Sequence, residues 1–229
     1  MFMGYACYSQ QIKVVRDFGF WAGCSFENKL SDDLLFKLEQ QVRTFHNASK
    51  LDAYLLDARL FHPINKHFVL GGNLRYIYNV KGKGDAYVQD ETEHNIRYNL
   101  DLKYKRKPNQ IIKIHYRLRY QHELVNFYKS FYNLLTYSHK QTVRTSAIRN
   151  KIKLFYKYSD KHHLHTSAEL FRLIVVFREP YFNKFRLSIG DEFNSKIGVL
   201  DYSIGFEREI GNINPYSFFY FKTIYKFKK

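Results

Sequence analysis

The chain has 229 residues, with 37 Lys and Arg against 21 Asp and Glu and a formal charge of +16, so an anionic partner is expected: lipid headgroups, lipopolysaccharide phosphates, nucleic acid or small anions. No apolar run approaches the roughly 18 residues of a membrane-crossing helix, which excludes a helical membrane protein. Mean hydropathy is -0.47, yet a transmembrane barrel passes such a test unseen, because only alternate residues of its strands are apolar.

The first nine residues, MFMGYACYS, are small and apolar, and the chain turns polar at Gln10. They resemble the end of a secretory signal peptide, with Ala6 and Ser9 near a cleavage point, although no basic segment precedes them. Cleavage there removes Cys7 and leaves Cys24 alone, so no disulfide framework or metal site rests on cysteine.

Period-two alternation marks the strands, because successive side chains point to opposite faces. Residues 17–27 set Phe18, Phe20, Ala22, Cys24 and Phe26 against Gly19, Trp21, Gly23, Ser25 and Glu27. A turn follows at 28–33. In 34–44, Leu34, Phe36, Leu38 and Val42 oppose Lys37, Glu39, Gln41 and Arg43. Strands at 51–61 and 68–79 flank a turn that contains Pro63, and 80–92, with Gly82 and Gly84, reads as a longer loop. Gly82 and Gly84 lack the strand-to-helix setting of a phosphate loop.

The clearest segment is 93–104, EHNIRYNLDLKY. His94, Ile96, Tyr98, Leu100, Leu102 and Tyr104 share one face, with aromatics at both ends and aliphatics between. That is the appearance of a strand facing lipid tails, with both ends in the headgroup layers, and its length suits a tilted span of roughly 9–11 residues. An ordinary half-buried strand would look similar, and the argument for a membrane rests on repetition. The pattern returns at 111–120 and 148–158. Residues 121–144 have mixed periodicity. Strands at 164–173 and 185–193 are separated by a loop through Pro180, and the chain continues with strands at 199–207 and 217–227.

These segments give 11 strands, whereas bacterial outer-membrane barrels use an even number. A twelfth strand is therefore expected either within 121–144 or at 10–16. The fold class that follows is all-β, a closed antiparallel up-and-down transmembrane barrel of about 10–12 strands, since backbone polar groups in lipid must be satisfied internally. The expected organisation is a signal-peptide remnant at 1–9 and a single barrel domain at 10–229. The face opposite the aromatics would line the lumen with Arg97, Lys103, Lys113, Arg117, Arg119, Arg149, Lys151 and Lys153. Acidic residues such as Glu39, Asp57, Glu93, Asp101, Glu169 and Glu192 are interspersed. Pairing across so narrow a lumen would plug it; an anion-preferring pore is the other outcome.

The segments WAGCSFENKL, KLEQQVR, NASKLDAYL, IHYRLRYQ, IRNKIKLFYKY and TSAELFRL together resemble an uncharacterised outer-membrane barrel family, domain of unknown function 2490, of Bacteroidetes type. The similarity runs from about 17 to 227. It implies an outer-membrane barrel and supplies no activity and no functional residues. One departure is that Phe227 is followed by Lys228 and Lys229, where many such barrels end on an aromatic residue.

Among candidate chemistries, His165, Ser167 and Glu169 share one strand face and would suit an activated-serine lipid hydrolase if they contacted one another. Spacing of two on a strand is also a common coincidence in a chain with 10 His. His162, His163 and His165 are a weak metal set, because adjacent strand residues point to opposite faces. A soluble single-strand nucleic-acid binder would place basic and aromatic residues on one face, whereas here they lie on opposite faces. The expectation is therefore a monomeric barrel of the bacterial outer membrane with no cofactor. Its expected partners are outer-membrane lipids, lipopolysaccharide and small anions, with no nucleic acid. Its role is structural or that of a small anion-preferring pore, with a barrel-embedded lipid hydrolase and a nucleic-acid binder as alternatives.

Overall fold

The computed structural model describes residues 15–80, 93–125, 144–175, 178–211 and 215–227. Eleven strands run in chain order: β1 (Val15–Ser31), β2 (Leu34–Phe45), β3 (Lys50–Pro63), β4 (Phe68–Asn79), β5 (Glu93–Arg106), β6 (Ile112–Leu124), β7 (Arg144–Lys157), β8 (His162–Val175), β9 (Arg178–Asn194), β10 (Gly198–Glu209) and β11 (Tyr216–Phe227). Each pairs antiparallel with its sequence neighbour, and β1 closes the barrel against β11.

The closure is parallel, in register from Val15↔Tyr216 to Phe26↔Phe227. This corrects the expectation of an even count: an odd number of up-and-down strands brings the first and last together pointing the same way. Among the described residues no twelfth strand enters the ladder. β6 and β7 pair directly from Ile112↔Tyr156 to Leu124↔Arg144, so no strand is interposed between them, and residues 126–143 lie outside those described. Val15 and Arg16 belong to β1 itself. The 1–9 segment with Cys7 and the loop residues Lys81, Gly82, Lys83 and Gly84 also lie outside the described residues.

The alternation becomes two surfaces. Outward side chains remain exposed although apolar, as at Leu74 (57%), Leu100 (59%), Ile189 (56%) and Ile204 (59%). Aromatics sit toward the strand ends of this surface, where Tyr54 and Tyr78, Phe68 and Tyr104, and Tyr158 and His162 pack in pairs. Inward positions are buried and mostly polar, as at Asp57 and Asp101. The short turns 32–33, 64–67, 107–111, 158–161 and 195–197 gather at one rim; the turn 46–49 and the strand ends at Asn79, Glu93, Leu124, Arg144, Val175, Arg178, Glu209 and Tyr216 lie at the opposite rim, called the long-loop rim for the length of sequence between those strands.

Strands run longer than the alternation alone suggests. Pro180, expected in a loop, lies inside β9, where the ladder with β8 steps from Leu173↔Tyr181 to Val175↔Arg178. Proline is tolerated there because the irregular pairing needs no donor from it. β1 likewise continues through most of the expected 28–33 turn, leaving only 32–33 outside strands.

Apolar packing inside the barrel centres on the β1/β11 seam, where Trp21, Phe218 and Tyr220 form a buried cluster flanked by Phe45 and Tyr216. Trp21 and Tyr220 stack at 3.9 Å with an 8° interplanar angle. Tyr220 has room because its β10 neighbour is Gly205: a Cβ there would stand 2.0 Å from the ring carbon Cζ. Gly205→Ala should therefore force Tyr220 off Trp21 and cost about 1–3 kcal/mol, as overpacking of a filled interior does. The check is the temperature at which a compact, detergent-resistant band converts to the unfolded form on a gel; an unchanged temperature would contradict this packing.

Candidate functional site

The inner face is where the chain concentrates its chemistry, and it divides into three levels. At mid-height three carboxylates hold arginines. Asp57 on β3 pairs with Arg59 at 2.6 Å and closely with Arg75 from β4. Asp101 on β5 accepts a two-pronged contact from Arg119 on β6, at 2.5 and 2.7 Å. Glu169 on β8 binds Arg117 of β6 at 2.6 Å and Arg149 of β7 at 2.8 Å, with Arg186 of β9 at 3.6 Å. The carboxylates are 2–3% exposed, so each charge is offset by its partners rather than by bulk water. The Arg117–Glu169 contact skips a strand and runs as a chord across the barrel wall.

Toward the short-turn rim, Lys226 of β11 binds Glu192 at 2.9 Å and Asp201 at 2.7 Å, and Lys153 lies 3.4 Å from Glu192. His165, Glu192 and Asp201 place ligand atoms within 4.8 Å of one another, which is metal-like spacing. The Lys226 ammonium already bridges the two carboxylates, however, so a metal would have to displace it. His165 of β8 reaches Asp201 of β10, with Nε2 at 3.2 Å, by passing over Gly190 of β9. A Cβ at Gly190 would lie 2.8 Å from the imidazole.

Toward the opposite rim lies a cavity of about 510 Å³. Arg43, Arg75, Arg97, Arg149, Lys184 and Arg186 line it against Asp52, Glu123 and Glu207, six cations to three carboxylates. Arg97 is held by Glu123 at 2.9 and 2.5 Å, and Lys184 by Glu207 at 2.9 Å. Aromatic faces hold others: Arg43 lies 4.1 Å over Trp21 and Arg149 lies 4.3 Å over Phe171.

The candidate hydrolase residues all point inward but do not join. Ser167 Oγ bonds to Ser188 Oγ at 2.8 Å, His165 turns to Asp201, and Glu169 is taken up by arginines. Ser167 and His165 make no contact with each other, and an activated nucleophile needs one. A serine–histidine contact does occur elsewhere, on the outward faces of β6 and β7, where His122 Nδ1 lies 2.7 Å from Ser146 Oγ. Of the eight basic residues singled out in the sequence, Arg97, Arg117, Arg119, Arg149 and Lys153 carry ion pairs within the barrel. Lys103 lies 3.4 Å over the Phe61 ring. Lys113 and Lys151 share the same inner face in the β6/β7 register, beside Phe155 and Arg117 respectively.

Two features escaped the alternation. Asp191 falls on the outward face of β9, between Ile189 and Phe193, yet it is 5% exposed. His162 Nδ1 lies 2.6 Å from its Oδ2, and the Tyr202 hydroxyl donates to the same oxygen at 3.1 Å. A carboxylate in an otherwise apolar phase was the available signal. The second feature is the cavity at the long-loop rim, assembled from all eleven strands. In the 158–161 turn, a 2.6 Å contact from Lys157 holds the Asp160 carboxyl below the ordinary aspartate value.

A closed sheet with an apolar outer surface and an ion-paired inner surface defines a transmembrane β-barrel. The model of the family described as "Protein of unknown function (DUF2490)" matches residues 18–199, and the chain belongs to that family. Among solved structures it is similar to the translocator domain of the autotransporter NalP from Neisseria meningitidis, with 14% identity, a TM-score of 0.46, and coverage of 82% of this chain and 72% of that one. It is also similar to a Pseudomonas aeruginosa FadL homologue, with 12% identity, a TM-score of 0.37 and coverage of 80% of this chain; it spans 59% of that chain's length. No curated protein matches the sequence.

Glu169→Ala would leave Arg117 and Arg149 facing one another without their shared carboxylate. Removing one partner of a buried pair costs about 3–5 kcal/mol, so the gel transition should fall sharply. Asp160→Ala, in the exposed turn, should leave it unchanged. Equal behaviour of the two variants would mean that the mid-height ion pairs do not stabilise the barrel.

Proposed function

We propose that this protein is a bacterial outer-membrane barrel whose lumen is closed at mid-height by ion pairs and opens at one rim as a basic vestibule. The observation that carries the reading is the layer formed by Asp57, Asp101 and Glu169, each buried and each holding at least one arginine. Such a layer fills a narrow lumen with side chains that hydrated ions would have to part. The barrel acts as a structural element of the membrane, with its exterior against outer-membrane lipid and lipopolysaccharide. Its vestibule favours small anions over cations, because cationic side chains outnumber carboxylates there by six to three. The inward Ser167 bonds another serine and not His165, which speaks against a lipid hydrolase built on that pair.

Two measurements on the detergent-purified chain test this. Unboiled protein should migrate faster than boiled protein on a gel, and planar bilayers containing it should show no resolved conductance steps. A chain that stays in solution without detergent and shows no gel shift would sink the membrane reading. Large, stable ohmic steps would sink the closed lumen, and a cation-selective reversal potential in any leak would sink the anion preference.

A further inference from the structure

We infer that the cavity at the long-loop rim is a binding site for a small hydroxylated organic acid, a compound that carries a carboxylate or phosphate together with hydroxyl groups. The inference rests on the vestibule reading above and adds a ligand class to it.

The cations of this cavity are unequally satisfied. Arg75, Arg97 and Arg186 each turn the Nε/Nη2 edge to a carboxylate, Asp57, Glu123 and Glu207 respectively. Arg43 differs. Its Nε donates to Gln41 at 2.7 Å, its face lies on Trp21, and no carboxylate is within ion-pair distance of it among the described residues. A guanidinium whose face rests on a ring keeps its in-plane N–H groups directed outward, in the geometry that grips a carboxylate or phosphate through two oxygens.

Two buried polar atoms of residues that line the same cavity lack partners among the described residues. Trp21, 6% exposed, has an indole Nε1–H with no acceptor, and Asn183 Oδ1 has no donor. Trp21 and Arg43 are direct neighbours in the β1/β2 register, so the orphan donor stands beside the unpaired cation. Leaving a buried donor unmatched costs free energy, and an oxyanion at Arg43 is the chemistry that would relieve it. Asn183 asks for the reverse, a hydroxyl that donates. One small molecule carrying both groups answers Arg43, Trp21 and Asn183 together. The cavity, about 510 Å³, lies within the range of small-ligand sites, roughly 300–1,000 Å³.

The chain has a single tryptophan, so its emission reports on this wall alone. The full chain in detergent is titrated with glucuronate and with glucose 6-phosphate, using glucose and matched sodium chloride as controls, and calorimetry provides a second readout. The expected result is a saturable change with at least one of the two acids, with neither control saturating. Arg43→Gln should weaken binding at least tenfold by calorimetry while the compact gel band is retained. Asn183→Ala should weaken the hydroxylated acid more than it weakens acetate. A response to both acids that never saturates, or that sodium chloride reproduces, would overturn the inference, as would an Arg43→Gln barrel that is still compact and binds with unchanged affinity. The conductance and gel-shift results are read without any ligand, so a failure here leaves them standing, and a conducting barrel that still bound glucuronate would separate the two readings the other way.

Discussion

Backbone amides inside a hydrocarbon layer have no water to turn to, and the rest of this structure depends on that. Every strand must have a partner on both sides, so the sheet has to close, and the strand count dictates how. With eleven strands the last ladder joins β1 to β11 in parallel. Parallel ladders carry slanted bonds and are slightly weaker per residue than antiparallel ones. The seam is also where the barrel places its densest aromatic packing, with Trp21 stacked on Tyr220 and Phe218 beside them. The side chains thereby reinforce the ladder that its backbone holds least firmly.

Closure then creates the second problem, an interior crowded with charge. The chain holds its cations in two ways. Carboxylates secure Arg119, Arg97 and Arg117 directly. Aromatic faces carry Arg43 and Lys103, through contacts that need no opposite charge. The first kind joins strands together, both in the mid-height layer and, through Arg97 and Glu123, at the rim. At Arg43 the second kind positions a guanidinium with no carboxylate at ion-pair distance among the described residues, and in this the rim cavity differs from the layer beneath it.

Much of this architecture is legible in the sequence, because period two is a direct consequence of strand geometry. His94 to Tyr104 announces its outward face residue by residue, and Arg97, Lys103 and Asp101 share the opposite face for the same reason. What the alternation does not encode is which inward residues meet. His165, Ser167 and Glu169 stand on one face of β8, and each turns to a different partner: Asp201, Ser188 and Arg149. Those choices depend on the neighbouring strands and, for His165, on the missing side chain at Gly190. The parallel seam was equally hidden, since a local pattern carries no information about a ladder between residues 15 and 216. Asp191 breaks its own phase, and its burial depends on His162 and Tyr202 of the neighbouring strands, which a local alternation does not encode.

The parity of the strand count also sets the geography of the two ends of the sheet. In an even barrel the first strand begins at the rim where the last one ends. Here β1 begins at the long-loop rim and β11 finishes beside the short turns, so Val15 and Phe227 are separated by the full height of the wall. The two ends of the sheet therefore face different aqueous compartments, and two labels attached at Val15 and Phe227 would report from opposite sides of the same bilayer.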